Sequence, residues 1–397
     1  MNNGPLSGIR IIDLTRILAG PICTMNLGDM GAEILKVEQP ERGDDTRSWG
    51  PPFVKGEAAY FLGINRNKRS MTLNLSEEEG KEILRELLVN ADVLIENFKL
   101  GTLERWGFTQ KWIEENVPQL IHCSITGYGN KGPKGGMPGY DFLLQAESGL
   151  MSITGDKDGG PAKLGVAIVD VCTGQYAAMT ILAALNARNN TKQGQRIDLS
   201  LYNTSLSMLI NVAANYLIGN QEPERYGNGH PNIVPYSDFK CSDGFIAIAV
   251  GNDSQFSRLA ECLGQPEWAE NELYKTNSGR VVNRVVLEKK ITAELLNKSV
   301  NDWLVLFELN NIPCSKINSV SEALESEQAK ASKMVLEQNH PTAGKFRTLG
   351  IPYNFSKTPA QMTMSPPLLG ADTDDILMKI VGLEPARINK LRKDKII

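Results

Sequence analysis

Two aspartates have the setting for chemistry. Asp170 closes the apolar run Gly165-Val166-Ala167-Ile168-Val169-Asp170, which reads as a strand, and Val171-Cys172-Thr173-Gly174-Gln175 then opens a helix. A carboxylate at the C-terminal end of a strand, facing a helix N-terminus, sits where open α/β sheets hold ligands. The helix dipole favours its charged form. Spacing alone leaves two readings open for Asp170, a nucleophile or a helix cap. Asp141, in Gly139-Tyr140-Asp141-Phe142-Leu143-Leu144-Gln145, reads as a capping residue at a helix start.

Other motifs carry less. Gly127-Tyr128-Gly129-Asn130-Lys131-Gly132 matches GxGxxG, but Pro133, Gly135, Gly136 and Pro138 follow where a dinucleotide site needs a helix. The segment reads as a long glycine-rich loop that lets backbone approach a ligand, or as a plain connector. The three histidines, His122, His230 and His340, lack ligand spacing, so no metal site is expected. His122 lies in an apolar strand and reads as a satisfied core residue. No GxSxG elbow supports a serine triad, which leaves carboxylates and backbone amides to do the work.

The elements that must position these residues alternate. Apolar runs at residues 9–14, 32–38, 71–75, 93–96 and 120–125 read as strands, and a helix at 76–90 begins with Ser76-Glu77-Glu78-Glu79 as a capping box. Such alternation predicts a mostly parallel, doubly wound α/β sheet. After a long helix at 202–218 the pattern changes. Residues 236–250 read as an antiparallel hairpin around Ser242-Asp243-Gly244, followed by helices at 254–263 and 281–297. This predicts a large domain over 1–220, a smaller α+β domain over 221–332 inserted into it, and a return to the large domain over 333–397.

Composition excludes several classes. A hydrophobic fraction of 41%, a charged fraction of 22% and a net charge of -4 over 397 residues describe a globular chain without a nucleic-acid-binding surface. No apolar run is read as long enough to span a bilayer, and the N-terminus has no targeting pattern. Six scattered cysteines without CxxC spacing imply free thiols. The expectation is a cytoplasmic protein.

The run Asp13-Leu14-Thr15-Arg16-Ile17-Leu18-Ala19-Gly20-Pro21 resembles the opening signature of class III CoA-transferases. So do Gly31-Ala32-Glu33 with Lys36-Val37-Glu38, Asn65-Arg66-Asn67-Lys68-Arg69-Ser70, Arg105-Trp106-Gly107, Gly127-Tyr128-Gly129, Gly139-Tyr140-Asp141, and the stretch from Gly165 to Gly174. Segments in one order along the whole chain are far more specific than any single motif. Gly43-Asp44-Asp45-Thr46-Arg47 and Trp49-Gly50-Pro51-Pro52-Phe53 look most like the branch acting on succinate, glutarate and hydroxymethylglutarate.

The resemblance implies a Rossmann-like large domain and an interlinked homodimer. It implies Asp170 as the nucleophile, with Ala19, Leu73, Asn97, Phe98, Arg105 and Tyr140 lining a CoA site. CoA is then substrate and product, small carboxylic acids are the partners, and no permanent cofactor is needed. Gly251 falls near a glycine loop that covers the acyl intermediate, and Leu18 replaces the glutamine of the formyl-CoA:oxalate member. The four-glycine loop of that member is here Gly251-Asn252-Asp253-Ser254, and its phosphate-binding arginine aligns with Gln39. The apolar Leu18 disfavours oxalate as acceptor, and Arg16 and Arg47 are the candidates to receive a distal carboxylate. Two other readings remain: an acyl-CoA racemase or isomerase, which Tyr140 in place of a catalytic histidine disfavours, and a non-catalytic CoA-binding scaffold, which the retained Asp170 disfavours.

Overall fold

In the computed structural model, which describes residues 4–397, the expected strands near 9–14, 32–38, 93–96 and 120–125 form one sheet with two others: one at 68–72, three residues earlier than the expected 71–75, and one at 196–200 that the sequence did not suggest. Its strands are β1 (Arg10–Asp13), β2 (Glu33–Glu38), β3 (Lys68–Thr72), β4 (Val93–Glu96), β5 (Ile121–Thr126) and β6 (Arg196–Ser200). All neighbours are parallel and the order is β3-β2-β1-β4-β5-β6. Parallel strands are covered on both faces, which is why Ile11, Ile12, Ile34, Leu35, Leu94 and Ile95 are all fully buried. The order reverses between β1 and β4. At such a switch point the loops leaving the C-terminal strand ends diverge and open a cleft.

Three helices bear on that cleft, α1 (Ala19–Asp29), α3 (Asp141–Glu147) and α4 (Ile168–Thr191), while α2 (Glu78–Val89) packs in the core. Helix α2 buries Ile83, Leu84, Leu87 and Leu88 at helical spacing in a core shared with Leu35, Leu94 and the C-terminal Ile388 and Leu391. The expected capping box is absent. The N-cap is Glu77, while Ser76 donates both its backbone N–H and its hydroxyl to Asn74 Oδ1, which satisfies them locally.

Three further expectations change. The run before Asp170 is not a strand, because α4 already begins at Ile168 and Asp170 lies in its first turn. The 24 residues of α4 are also long and apolar enough to cross a membrane, contrary to the sequence reading. Here they pack on α1, β5 and β6, burying Ala177, Ile181 and Leu185. His122 is buried with neither ring nitrogen hydrogen-bonded, its Nε2 3.6 Å from Glu96 Oε1.

The chain divides into two compact units. One comprises residues 1–148, 165–208 and 327–397, the other 149–164 and 209–326. The boundaries therefore fall at 208 and 326, where the sequence reading has 220 and 332, and residues 149–164 leave the large unit. The physical reason is a broken helix. The expected 202–218 helix splits into Leu201–Ser207 and Ile210–Leu217, with Ile210 at φ +33°.

The second unit has a three-stranded antiparallel sheet, β7 (Tyr236–Lys240), β8 (Phe245–Ala249) and β9 (Cys314–Lys316), in the order β9-β8-β7. One face, with Phe239, Ile246 and Ile248, packs on Phe256, Leu287, Trp303 and Phe307. Asn252 caps the helix Asp253–Cys262 by accepting the N–H of Gln255 at 2.9 Å. Gly251, just before it, donates its N–H to Gln255 Oε1 at 2.7 Å.

Candidate active site

The loops after β1, β4 and β5 bound a cleft of about 190 Å3. Arg16, Leu18 and Ala19 come from the first loop, Asn97 and Phe98 from the second, Tyr140 from the third, and Asp170 from the first turn of α4. Residues spread over more than 150 positions of sequence thus meet at the switch point, where the sheet topology opens a space. A second cavity of about 330 Å3 adjoins it through the shared Arg16 and Phe98, and Leu73, Gln39, Arg42 and Trp106 line it.

Two N-termini converge at Asp170. Gly174, one turn beyond Asp170 in α4, lies against α1: a Cβ there would stand 2.5 Å from the Ala19 carbonyl oxygen, so only glycine permits the approach. The residue preceding α4, Ala167, offers no side chain to its first N–H groups. Asp141 does so from α3. Its Oδ1 accepts the N–H of Val169 at 2.7 Å and of Asp170 at 3.2 Å, and its Oδ2 accepts from Gln145 Nε2 at 2.6 Å. Asp141 does cap a helix, but a different one from the helix it begins.

That arrangement decides the charge on Asp170. Burial, and then the neighbouring negative charge of Asp141, push its carboxyl up to about 7. The sequence reading let the helix dipole keep it ionised; burial and Asp141 act in the opposite direction. Tyr60, which that reading missed, feels the same field. Its phenol is pushed up to about 12 by burial, then by Asp170, Asp141 and Asp44, so it stays a proton donor. It sits in the helix Ala59–Ile64 and packs edge-on against Trp49 at 5.4 Å.

The turn between β1 and α1 is built against preference. Ile17, a β-branched residue, has φ +72°, a left-handed conformation that costs on the order of 1–3 kcal/mol. Side chains hold each neighbouring peptide. Asn97 accepts the Arg16 N–H at 3.0 Å and donates to the Arg16 carbonyl at 2.8 Å, and Asp44 Oδ1 accepts the Ile17 N–H at 3.2 Å. Fully buried Lys36 donates to Asp44 Oδ2 at 2.8 Å and to the Thr15 carbonyl at 2.9 Å. Burial works against the Asp44 charge, but Lys36 and Thr46 hold its carboxyl down at about 2. A signal for this network lay in the sequence: a lysine and a glutamate, Lys36 and Glu38, inside a strand buried on both faces must find partners.

The other candidates stand elsewhere. Arg105 is exposed, donates to Thr102 Oγ1 at 2.8 Å and lines neither cavity. Arg47 is corrected as a substrate contact. Its guanidinium is bidentate to Glu38 at 2.7 and 2.8 Å, bonds the Pro367 carbonyl and lies 3.7 Å over the Phe61 ring, so its donors are spent on the fold. Arg16 lines both cavities with its guanidinium on Asp45 at 2.8 Å. Among the described residues no cluster of three or more His, Cys, Asp or Glu could hold a metal.

The fold is a doubly wound parallel α/β sheet with the Asp170 carboxyl group in a cleft at its switch point. The chain belongs to CoA-transferase family III, whose model matches residues 6–373, and is a CoA-transferase. It is 45% identical over 387 residues to the succinyl-CoA:glutarate CoA-transferase of Mus musculus, covering 98% of this chain and 89% of that one. It is 42% identical to the succinate–glutarate CoA-transferase of Agrobacterium fabrum, covering 96% of each. Among solved structures, a CAIB/BAIF family protein from Brucella suis is 41% identical with a TM-score of 0.83, covering 95% of this chain and 100% of that one.

Proposed function

We propose that this enzyme moves CoA from succinyl-CoA to a second dicarboxylate, glutarate foremost, with Asp170 as the nucleophile. The observation that carries the reading is the carboxyl group of Asp170 in the wall of the switch-point cleft. The names of the relatives from Mus musculus and Agrobacterium fabrum support the acid pair.

The chemistry follows from a carboxylate nucleophile. Ionised Asp170 attacks the thioester carbonyl; the C–S bond breaks, CoA leaves as thiolate and a mixed anhydride remains. The thiolate attacks the Asp170 carbonyl, freeing succinate and leaving an aspartyl-CoA thioester. The incoming carboxylate attacks that thioester, again expelling CoA thiolate and forming a new anhydride. CoA then attacks the acyl carbon, so the product thioester leaves and the Asp170 carboxylate returns. Ala19, the first residue of α1, lines this space, and a backbone N–H at a helix start is a donor suited to the oxyanions.

The adjoining cavity suits the nucleotide end of CoA. Gln39 cannot bind phosphate as an arginine does. Arg42 in the second cavity and Lys99 in the first, both exposed, are the cations proposed to take its place. Gly251 is proposed to cover the intermediate. We read the enzyme as a cytoplasmic homodimer of interlinked chains, each with the smaller domain inserted in the larger. Six free cysteines support the compartment, and the exposed Phe142, Leu143, Tyr176 and Met179 on α3 and α4 support the dimer.

The test is incubation with succinyl-CoA and a panel of acids, followed by mass spectrometry of the CoA esters. Glutaryl-CoA is expected from the wild type and none above background from Asp170→Ala or Asp170→Asn, both still folded and binding CoA. Activity within tenfold of wild type in either variant removes Asp170 from the role, and oxalate outperforming glutarate removes the acceptor class.

A further inference from the structure

We infer that Asn97 and Asp44 are positioning residues of the transfer reaction. They hold Ile17 in its left-handed conformation and so fix the first turn of α1 opposite Asp170. This rests on the proposed role of Asp170 and adds to it a part of the machinery that touches no substrate.

Three observations combine. Ile17 has φ +72° with no glycine or asparagine to make that easy. Its turn is gripped peptide by peptide: Lys36 on the Thr15 carbonyl, Asn97 on both polar groups of Arg16, Asp44 on the Ile17 N–H. Ile17, Leu18 and Ala19 then line the cleft with Asp170. The grip is itself anchored, since Asp44 receives Lys36, the N–H and hydroxyl of Thr46, and gives its own N–H to Glu38. Charged hydrogen bonds in a buried site are among the strong ones, which is what a strained turn needs to persist.

The consequence is directional. A turn released from Asn97 or Asp44 relaxes toward right-handed backbone and swings Leu18 and Ala19 away from their places. The backbone at Asp170 is tied separately, by Asp141 on α3, so it does not follow Leu18 and Ala19. The thioester carbonyl and the nucleophile then lose alignment, and a small misplacement is enough to slow the attack strongly. Both polar ends of the Asn97 amide are engaged by Arg16, so this residue acts through the loop even though it lines the cleft.

The test reads exchange of isotope-labelled succinate into succinyl-CoA, which requires no choice of acceptor. Asn97→Ala is expected to lower kcat at least tenfold with KM for succinyl-CoA within threefold and with cooperative melting retained. Adding Ile17→Gly, which takes left-handed backbone without strain, is expected to recover kcat in the Asn97→Ala background to within threefold of Ile17→Gly alone. Asp44→Asn is expected to show the same loss and the same recovery. Should it fail to fold, the Asn97 pair alone decides. A raised KM with unchanged kcat in Asn97→Ala makes Asn97 a direct CoA contact and overturns the inference, as does a loss that Ile17→Gly leaves unrepaired. A wild type that exchanges no succinate sinks the proposed function and this inference with it; a competent wild type beside an unaffected Asn97→Ala sinks the inference alone.

Discussion

Asp141 holds the backbone of Asp170 and opposes the charge on its side chain. The same carboxylate accepts the N–H groups of Val169 and Asp170 and, after burial, is the cause that lifts the Asp170 carboxyl to about 7. In its proposed role as nucleophile, Asp170 would be ionised in part near neutrality and remain reactive, because carboxylates of higher pKa are the stronger nucleophiles.

The rate is therefore expected to depend on pH through Asp170. Attack requires the carboxylate, so kcat/KM rises with pH up to about 7 and levels above it. Asp141→Asn keeps an oxygen for the two N–H groups but loses the charge, so the acid limb moves to lower pH. An acid limb that stays in place in this variant assigns the shift to burial alone.

Stability carries the opposite sign. The folded-state carboxyl lies above its ordinary value of 3.8, so the native state is favoured while Asp170 is protonated and gives up stability as pH rises toward about 7. Asp170→Asn removes that loss. Discounted for partial exposure, the variant is expected to gain ~1–3 kcal/mol over wild type near pH 8 and less near pH 5. Equal gains in urea melts at both values rule this out.

Arg47 is expected to matter for folding and not for binding. Arg47→Ala strips the buried Glu38 of its bidentate partner and Phe61 of its cation. Ser70 still donates to Glu38 at 2.6 Å, so the loss is set at about 3 kcal/mol, the low end for a broken buried pair. The KM for the acid is expected to stay within twofold; a tenfold rise with unchanged stability returns Arg47 to the substrate.

Arg42 and Lys99 are expected to bind CoA phosphates. Arg42→Ala and Lys99→Ala each should raise the KM for succinyl-CoA five- to tenfold with kcat unchanged, and more at low than at high salt. No change in either variant moves the phosphates elsewhere.

An interlinked dimer is expected to resist dilution. Mass photometry at nanomolar protein should find twice the 43.6 kDa chain mass, with a single unfolding transition and no folded monomer. A folded monomer on dilution overturns the interlinking.

Local signals were legible where the physics is local. Apolar runs bounded by glycine and proline predict most strands of the parallel sheet, because burial on both faces leaves strands no polar alternation. The order of motifs carries the family, and with it the expectation that Asp170 is the nucleophile. Strand β6 escaped because Arg196–Ser200 lies half exposed and mixes charge with apolar residues, and α4 was started late because its first turn is as apolar as a strand. What only the tertiary structure decided lies between residues far apart in sequence. Asp141 caps a helix 28 residues further on, Asn97 grips a turn 81 residues before it, and Arg47 reaches a carbonyl 320 residues away. A hydrogen bond of this kind leaves no periodicity in the chain. It exists because the sheet brings its C-terminal strand ends together, and there it fixes the charge on Asp170, the handedness of Ile17 and the loss of Arg47 to the fold.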